Sequence, residues 1–155
     1  MRIAPMTETD LNQVLALERR SFKNPWGMLA YENELACPQA CCYVLKTELG
    51  EVIAYMCGRL VANELHVLKI AVNEAYRRNG MASQLLHHCL ARIPAAVDFA
   101  FLEVRPSNTA AIRLYQKLGF TVWGHRPDYY TDTEEDAIIM GKIFKGGSNE
   151  CEDSD

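Results

Sequence analysis

The spacing of apolar and polar positions changes several times along the chain, and each change marks an element. After a short first strand, "PMTETDLNQVLALERRSF" sets Leu11, Val14, Leu15 and Glu18 on a 3.6-residue repeat with Phe22 beyond. Thr7 or Thr9 can cap that helix. "PWGMLAYENELAC" predicts a second helix, opened by Pro25 in its first turn and closed by Pro38. "CCYVLKTELGEVIAYMCGRLV" predicts a hairpin around Glu48-Leu49-Gly50-Glu51, and "ELHVLKIAV" continues the sheet. Met81, Ala82, Leu85, Leu86, Cys89, Leu90 and Ile93 then recur as a helical stripe that Pro94 ends. "VDFAFLEV" is a strand, and "SNTAAIRLYQKLGF" is a helix with Ser107 or Asn108 as cap and Gly119 just past its end. "FTVWG" and "DAIIMGKIF" are the last two strands. The order β-α-α-β-β-β-α-β-α-β-β, without repeat or dividing linker, predicts an α/β fold with a mixed sheet covered by helices on both faces.

Composition narrows this picture. The 155 residues suffice for one domain with its own core, expected over 1–145. No apolar run approaches the ~20 residues that span a bilayer, and "MRIAPMTETD" lacks the apolar stretch of a signal peptide, so a cytoplasmic protein is expected. Cys37, Cys41, Cys42, Cys57, Cys89 and Cys151 form no paired CxxC, and Cys41 and Cys42 point to opposite sides of a strand; reduced, mostly buried thiols are expected. The net charge of -4 lies in the tail: Glu150, Glu152, Asp153 and Asp155 stand in the last eight residues, and setting those four aside leaves 16 acids against 16 Lys and Arg. Residues 146–155 therefore read as a disordered acidic tail, and the neutral body carries no general nucleic-acid footprint.

"AVNEAYRRNGMASQLL" has unusual chemistry for a strand-to-helix turn. The first four N–H groups of a helix lack partners within it, and its dipole is positive there. Arg77, Arg78, Asn79 and Gly80 lead into that end, with Met81 and Ala82 in the first turn. Such a turn suits an anion, a diphosphate above all. The spacing fits neither GxxxxGK[ST] nor GxGxxG, which removes support for nucleotide hydrolysis and dinucleotide binding. A solvated turn with a helix-starting glycine fits the spacing as well.

The stretch resembles the coenzyme A loop of the Gcn5-related N-acetyltransferase superfamily, Arg/Gln-x-x-Gly-x-Gly/Ala, here Arg77-x-x-Gly80-x-Ala82 after the strand "KIAV". The resemblance covers roughly 3–144. "LEVRPSNTAAIRLYQKLGF" and "YYTDTEEDAIIM" are similar to the bacterial ribosomal-protein-alanine acetyltransferases, the RimI group. It implies that backbone amides over 77–82 cradle the pyrophosphate of acetyl-CoA. It also implies that the strands holding 68–72 and 101–103 splay into a V-shaped cleft. There the main chain of Ile70, Ala71 and Val72 receives the pantetheine and polarises the acetyl oxygen.

Glu103 stands in an apolar strand and by alternation shares a face with Phe99 and Phe101. It either pairs with Arg105 where the strand surfaces, or is a partly desolvated carboxyl pushed up into the range of a general base. The resemblance implies the second. Asn108, Ile112 and Tyr115 share one helical stripe. In the family resembled, Tyr115 is the general acid for the departing thiolate, and Asn108 binds the pantetheine or stabilises the helix start. A phenol near pKa 10 suits that task. Tyr129 and Tyr130, in a polar loop, are implied to line the acceptor slot, with Trp26 and Glu34 on the opposite lip; Trp26 fits core packing equally well. Lys69 stands where many relatives carry Asn or Ser, which implies an altered acceptor pocket. His66, His87, His88 and His125 lack metal spacing, and His87 and His88 read as the solvent flank of their helix.

The expected activity is transfer of acetyl from acetyl-CoA to a protein α-amine by direct attack on the thioester. The cysteines show no neighbouring His signature, so no acetyl-enzyme is expected. By resemblance, the acceptor is the N-terminal alanine of the eighteenth protein of the ribosomal small subunit. Relatives of this group can associate with proteins of the threonylcarbamoyl-adenosine tRNA modification, though no residue here demonstrates that contact. Two alternatives stay open: transfer to lysine side chains or a small amine, and a non-catalytic module that binds coenzyme A.

Overall fold

A computed structural model describes residues 1–94, 96–130 and 135–144, except the side chains of 128–130. The strands hydrogen-bond in the order β1-β2-β3-β4-β5-β7-β6. They run β1 Arg2–Pro5, β2 Ala40–Lys46, β3 Val52–Val61, β4 Glu64–Val72, β5 Phe99–Val104, β6 Thr121–Tyr130 and β7 Glu135–Ile143; the helices are α1 Leu11–Ser21, α2 Met28–Ala36, α3 Met81–Leu90 and α4 Thr109–Lys117. Parallel and antiparallel ladders both occur, so the sheet is mixed, and the order of elements matches the expectation. Two compact units divide the chain: 1–60 with 67–93, and 61–66 with the described residues from 94 onward. The acidic tail lies outside the described residues, as does Cys151.

In the first unit, β2 runs antiparallel to β1 and to β3. β3 is buried at every position over 52–58, as befits a strand covered on both faces. α1 buries Leu11, Val14, Leu15, Leu17 and, in the same stripe, Glu18. Its entry is a 3-10 turn, Glu8–Asp10, where the Thr7 N–H donates to Asp10 Oδ2 at 2.9 Å. α2 begins at Met28, later than the sequence predicts. The Trp26 N–H donates to Glu18 Oε2 at 2.8 Å, which holds Pro25 and Trp26 against α1 ahead of the helix. α3 buries Met81, Ala82, Leu85, Leu86 and Cys89 and ends at Leu90. Cys37, Cys41, Cys42, Cys57 and Cys89 are all free thiols, the last three buried.

In the second unit, β4 pairs in parallel with β5 through Glu64↔Phe99, Leu65↔Ala100 and His66↔Phe101. β7 then runs antiparallel to β5 and to β6. Along β5, Ala100, Leu102 and Val104 are buried while Phe99, Phe101 and Glu103 form the half-buried face, as the alternation predicts. Asn108 caps α4, its Oδ1 accepting from the Ala111 N–H at 3.1 Å. Gly119 follows the helix at φ +94°, a conformation that favours glycine. β6 runs on to Tyr130, whereas the sequence predicts a strand ending at Gly124 and a polar loop at Tyr129 and Tyr130. β6 is the last strand in the order, and an edge tolerates Pro127, which has no N–H to give a ladder.

Candidate active site

The turn before α3, expected to receive a diphosphate, lies in the first unit. Arg78 and Gly80 both take left-handed backbone conformations, at φ +69° and +74°. A non-glycine residue in that region is uncommon, and such alternation turns successive N–H groups toward one side. Nothing lies within 4 Å of the position a Cβ would take at Gly80, so the approach to the backbone is open. Arg77, Arg78, Asn79 and Gly80 are exposed. The turn is braced from within: Arg77 Nε donates to the Val72 carbonyl at 3.2 Å, and Asn79 Nδ2 donates to the Tyr76 carbonyl at 3.0 Å. Met81 and Ala82 face the core, so their side chains anchor the helix start while their N–H groups, like Ser83's, lack helical acceptors. Immediately upstream, Ala71 is buried and Ile70 and Val72 half-buried at the end of β4.

A second cluster in this unit is built on Glu18, which is fully buried. Its carboxylate accepts from Tyr31 Oη at 2.6 Å, from Tyr55 Oη and from the Trp26 N–H, and it pairs with Lys69. Burial, before any other cause, pushes both phenols far above their ordinary range, so they stay donors. The Lys69 ammonium lies 4.0 Å from the Phe22 ring centroid and 4.8 Å from that of Trp26. Lys69, expected to alter the acceptor pocket, is turned into this cluster. Trp26 packs half-buried against the core, its ring 5.1 Å from Tyr31. Glu34, expected on the lip opposite Tyr129 and Tyr130, is buried and paired with Arg59. The composition of an apolar stripe hides such a hub; only the Glu at a buried helical position signals it.

In the second unit, Glu103 Oε1 stands 2.7 Å from His66 Nε2, and Oε2 stands 3.9 Å from Arg126. Arg105 pairs instead with Glu135, at 3.8 Å. The hydrogen bond to His66 holds the Glu103 carboxyl below its ordinary range and outweighs burial, which acts the other way. This reverses the expected direction: burial alone implies a raised carboxyl, and no spacing in the chain signals the imidazole. Tyr115 is buried in α4 with its ring 5.9 Å from that of Phe120. Asn108 performs the capping role at the start of that helix. Tyr130 pairs opposite Glu135 at the end of β6, while the side chains of Tyr129 and Tyr130 lie outside the described residues. His87 is exposed, but His88 meets Tyr43 edge-on at 5.0 Å rather than standing free in solvent. Among the described residues, no three His, Cys, Asp or Glu side chains gather as a metal site.

The sequence pattern of the Acetyltransferase (GNAT) family matches residues 11–120. The ribosomal protein bS18-alanine N-acetyltransferase of Escherichia coli (strain K12) is 36% identical over 143 residues, covering 89% of this chain and 94% of the relative. An N-alpha-acetyltransferase of Sulfurisphaera tokodaii is 31% identical over 153 residues, with 90% of each chain covered. Among solved structures, the crystal structure of the ribosomal-protein-S18-alanine N-acetyltransferase from Escherichia coli superposes with a TM-score of 0.80 at 32% identity, over 92% of each chain.

Proposed function

The chain belongs to the GNAT acetyltransferase family and is an acetyl-CoA-dependent N-acetyltransferase of protein amines; we propose that its acceptor is the N-terminal alanine of a ribosomal small-subunit protein. The observation that carries this reading is the 36% identity to an enzyme named for that acceptor, across 94% of its length. A cytoplasmic location goes with such an acceptor. Partnership with the threonylcarbamoylation proteins would need a surface that no described residue yet identifies.

In this reading the first unit holds the donor. N–H groups over 78–83 and the Arg77 and Arg78 guanidiniums neutralise the diphosphate, and the main chain of Ile70, Ala71 and Val72 meets the pantetheine. The second unit supplies the proton chemistry. An α-amine arrives largely as an ammonium, with a pKa of about 8. Glu103 takes one proton, and the freed nitrogen attacks the thioester carbonyl. Collapse of the tetrahedral intermediate breaks the C–S bond, and the Tyr115 hydroxyl protonates the departing thiolate. Trp26 serves the acceptor side, and Lys69 contributes by fixing Trp26 through Glu18.

Incubation with acetyl-CoA and a peptide library, read by mass spectrometry, tests this. One acetyl group on free N-termini, with alanine preferred in first position, is expected. Acetylation of lysine in N-terminally blocked peptides would favour a side-chain acceptor instead. Coenzyme binding without transfer to any peptide would reduce the protein to a binding module.

A further inference from the structure

His66 touches the carboxylate on which the proposed proton transfer depends. The parallel register sets it abreast of Phe101, and the two rings stack with centroids 4.4 Å apart and planes within 10°. The stack fixes the plane of the imidazole. From there Nε2 reaches Oε1 of Glu103, two residues further along β5, at 2.7 Å. Among the described side chains, the other carboxylate oxygen has Arg126 at 3.9 Å, beyond hydrogen-bond distance, and the Glu103 main-chain N–H also bears on the carboxylate. The imidazole thus holds Oε1, and among the described side chains none lies within hydrogen-bond distance of Oε2.

We propose that His66 is the positioning residue of the Glu103 base: its Nε2–H fixes Oε1 and so aims Oε2 at the acceptor, while the charge on its ring sets how strongly that oxygen draws a proton. The inference rests on the reading of Glu103 as the base. In the step concerned, one proton leaves the acceptor ammonium and binds Oε2, and none crosses the His66–Glu103 hydrogen bond. A neutral ring with its hydrogen on Nε2 supplies the hydrogen bond alone. A second proton, on Nδ1, adds a full positive charge beside the carboxylate and weakens it as a base. Turnover therefore rises as pH climbs through the ionisation of the ring. Among the described residues, the charged groups facing the pair are Glu103 itself from β5, Arg126 from β6 and, two residues before His66 on β4, Glu64; β7 sets Ile139 and Gly141 abreast of Glu103 and Phe101.

The test is the pH profile of kcat at saturating acetyl-CoA and alanine-first peptide, for wild type, His66→Ala, His66→Gln and Glu103→Gln. His66→Ala removes the donor and should lower kcat about 10- to 100-fold while the KM for acetyl-CoA stays fixed. His66→Gln keeps an N–H donor but cannot ionise. It should recover most of the wild-type kcat and lose the inflection carried by the ring. Wild-type turnover in His66→Ala, or an unchanged inflection in His66→Gln, would overturn the proposal. Glu103→Gln separates the two readings: full activity there removes Glu103 as base, whereas a crippled Glu103→Gln beside an unaffected His66→Ala removes His66 alone. If a variant fails to fold, the His66 imidazole titration followed by NMR in the wild type decides. Its midpoint must coincide with the kcat inflection, and a mismatch contradicts the proposal.

Discussion

Lys69 and Glu18 form an ion pair in which the acid is wholly buried and the ammonium lies over the rings of Phe22 and Trp26. Three further donors, from Tyr31, Tyr55 and the Trp26 N–H, complete the carboxylate's shell. Removing one partner of such a pair strands the other charge. Lys69→Met should cost about 3–5 kcal/mol in urea unfolding. The double variant Glu18→Gln with Lys69→Met should recover part of that loss, since both charges then go together.

Acid sensitivity should come partly from Asp10. Burial acts to raise its carboxyl, but the hydrogen bond from Lys46, the Thr7 N–H and the Lys46 charge together hold it below the ordinary range. The Lys46 ammonium stands 2.8 Å from Oδ1. A depressed folded-state pKa gives stability that is present above the unfolded value, near 3.9, and is lost as pH falls through the folded one. Unfolding free energy measured between pH 6 and pH 3 should fall less steeply in Asp10→Asn than in wild type. Equal slopes would remove Asp10 from the account.

Gly80 should matter to coenzyme binding through its backbone alone. A Cβ there meets nothing within 4 Å, but φ +74° costs an L residue about 1–2 kcal/mol. Gly80→Ala should keep the fold, shift the turn and raise the KM for acetyl-CoA roughly tenfold, the equivalent of about 1.4 kcal/mol. The kcat at saturation should hold near wild type. A variant with unchanged KM would show that the turn does not bind the donor.

Tyr115→Phe removes one hydroxyl from a ring that packs against Phe120. If that hydroxyl is the general acid, kcat should fall by about 10²-fold, with little change in the KM for either substrate. Steady-state kinetics at saturating peptide checks this; a loss confined to KM would make the tyrosine a binding residue.

Local signals in the sequence foretold much of this fold. Asn108 and Gly119 bound α4 as caps should, and the α3 stripe faces the core over 81–89. The turn before α3, with its left-handed Gly80, was legible because its residues are consecutive. Longer-range features were not. α2 starts late because Trp26 is tied to Glu18, 8 residues back, and β6 passes through Pro127 because it is an edge. The His66–Glu103 contact joins residues 37 apart through a parallel register that no spacing encodes. That unseen partner is why the predicted direction of Glu103's shift was wrong.

The central claim is that main-chain donors at the entrance of α3 hold the coenzyme's diphosphate. A crystal structure of the protein with coenzyme A tests it most directly. The account predicts diphosphate oxygens about 2.7–3.2 Å from N–H groups over 78–83. A diphosphate bound elsewhere, with that turn left in solvent, would contradict it.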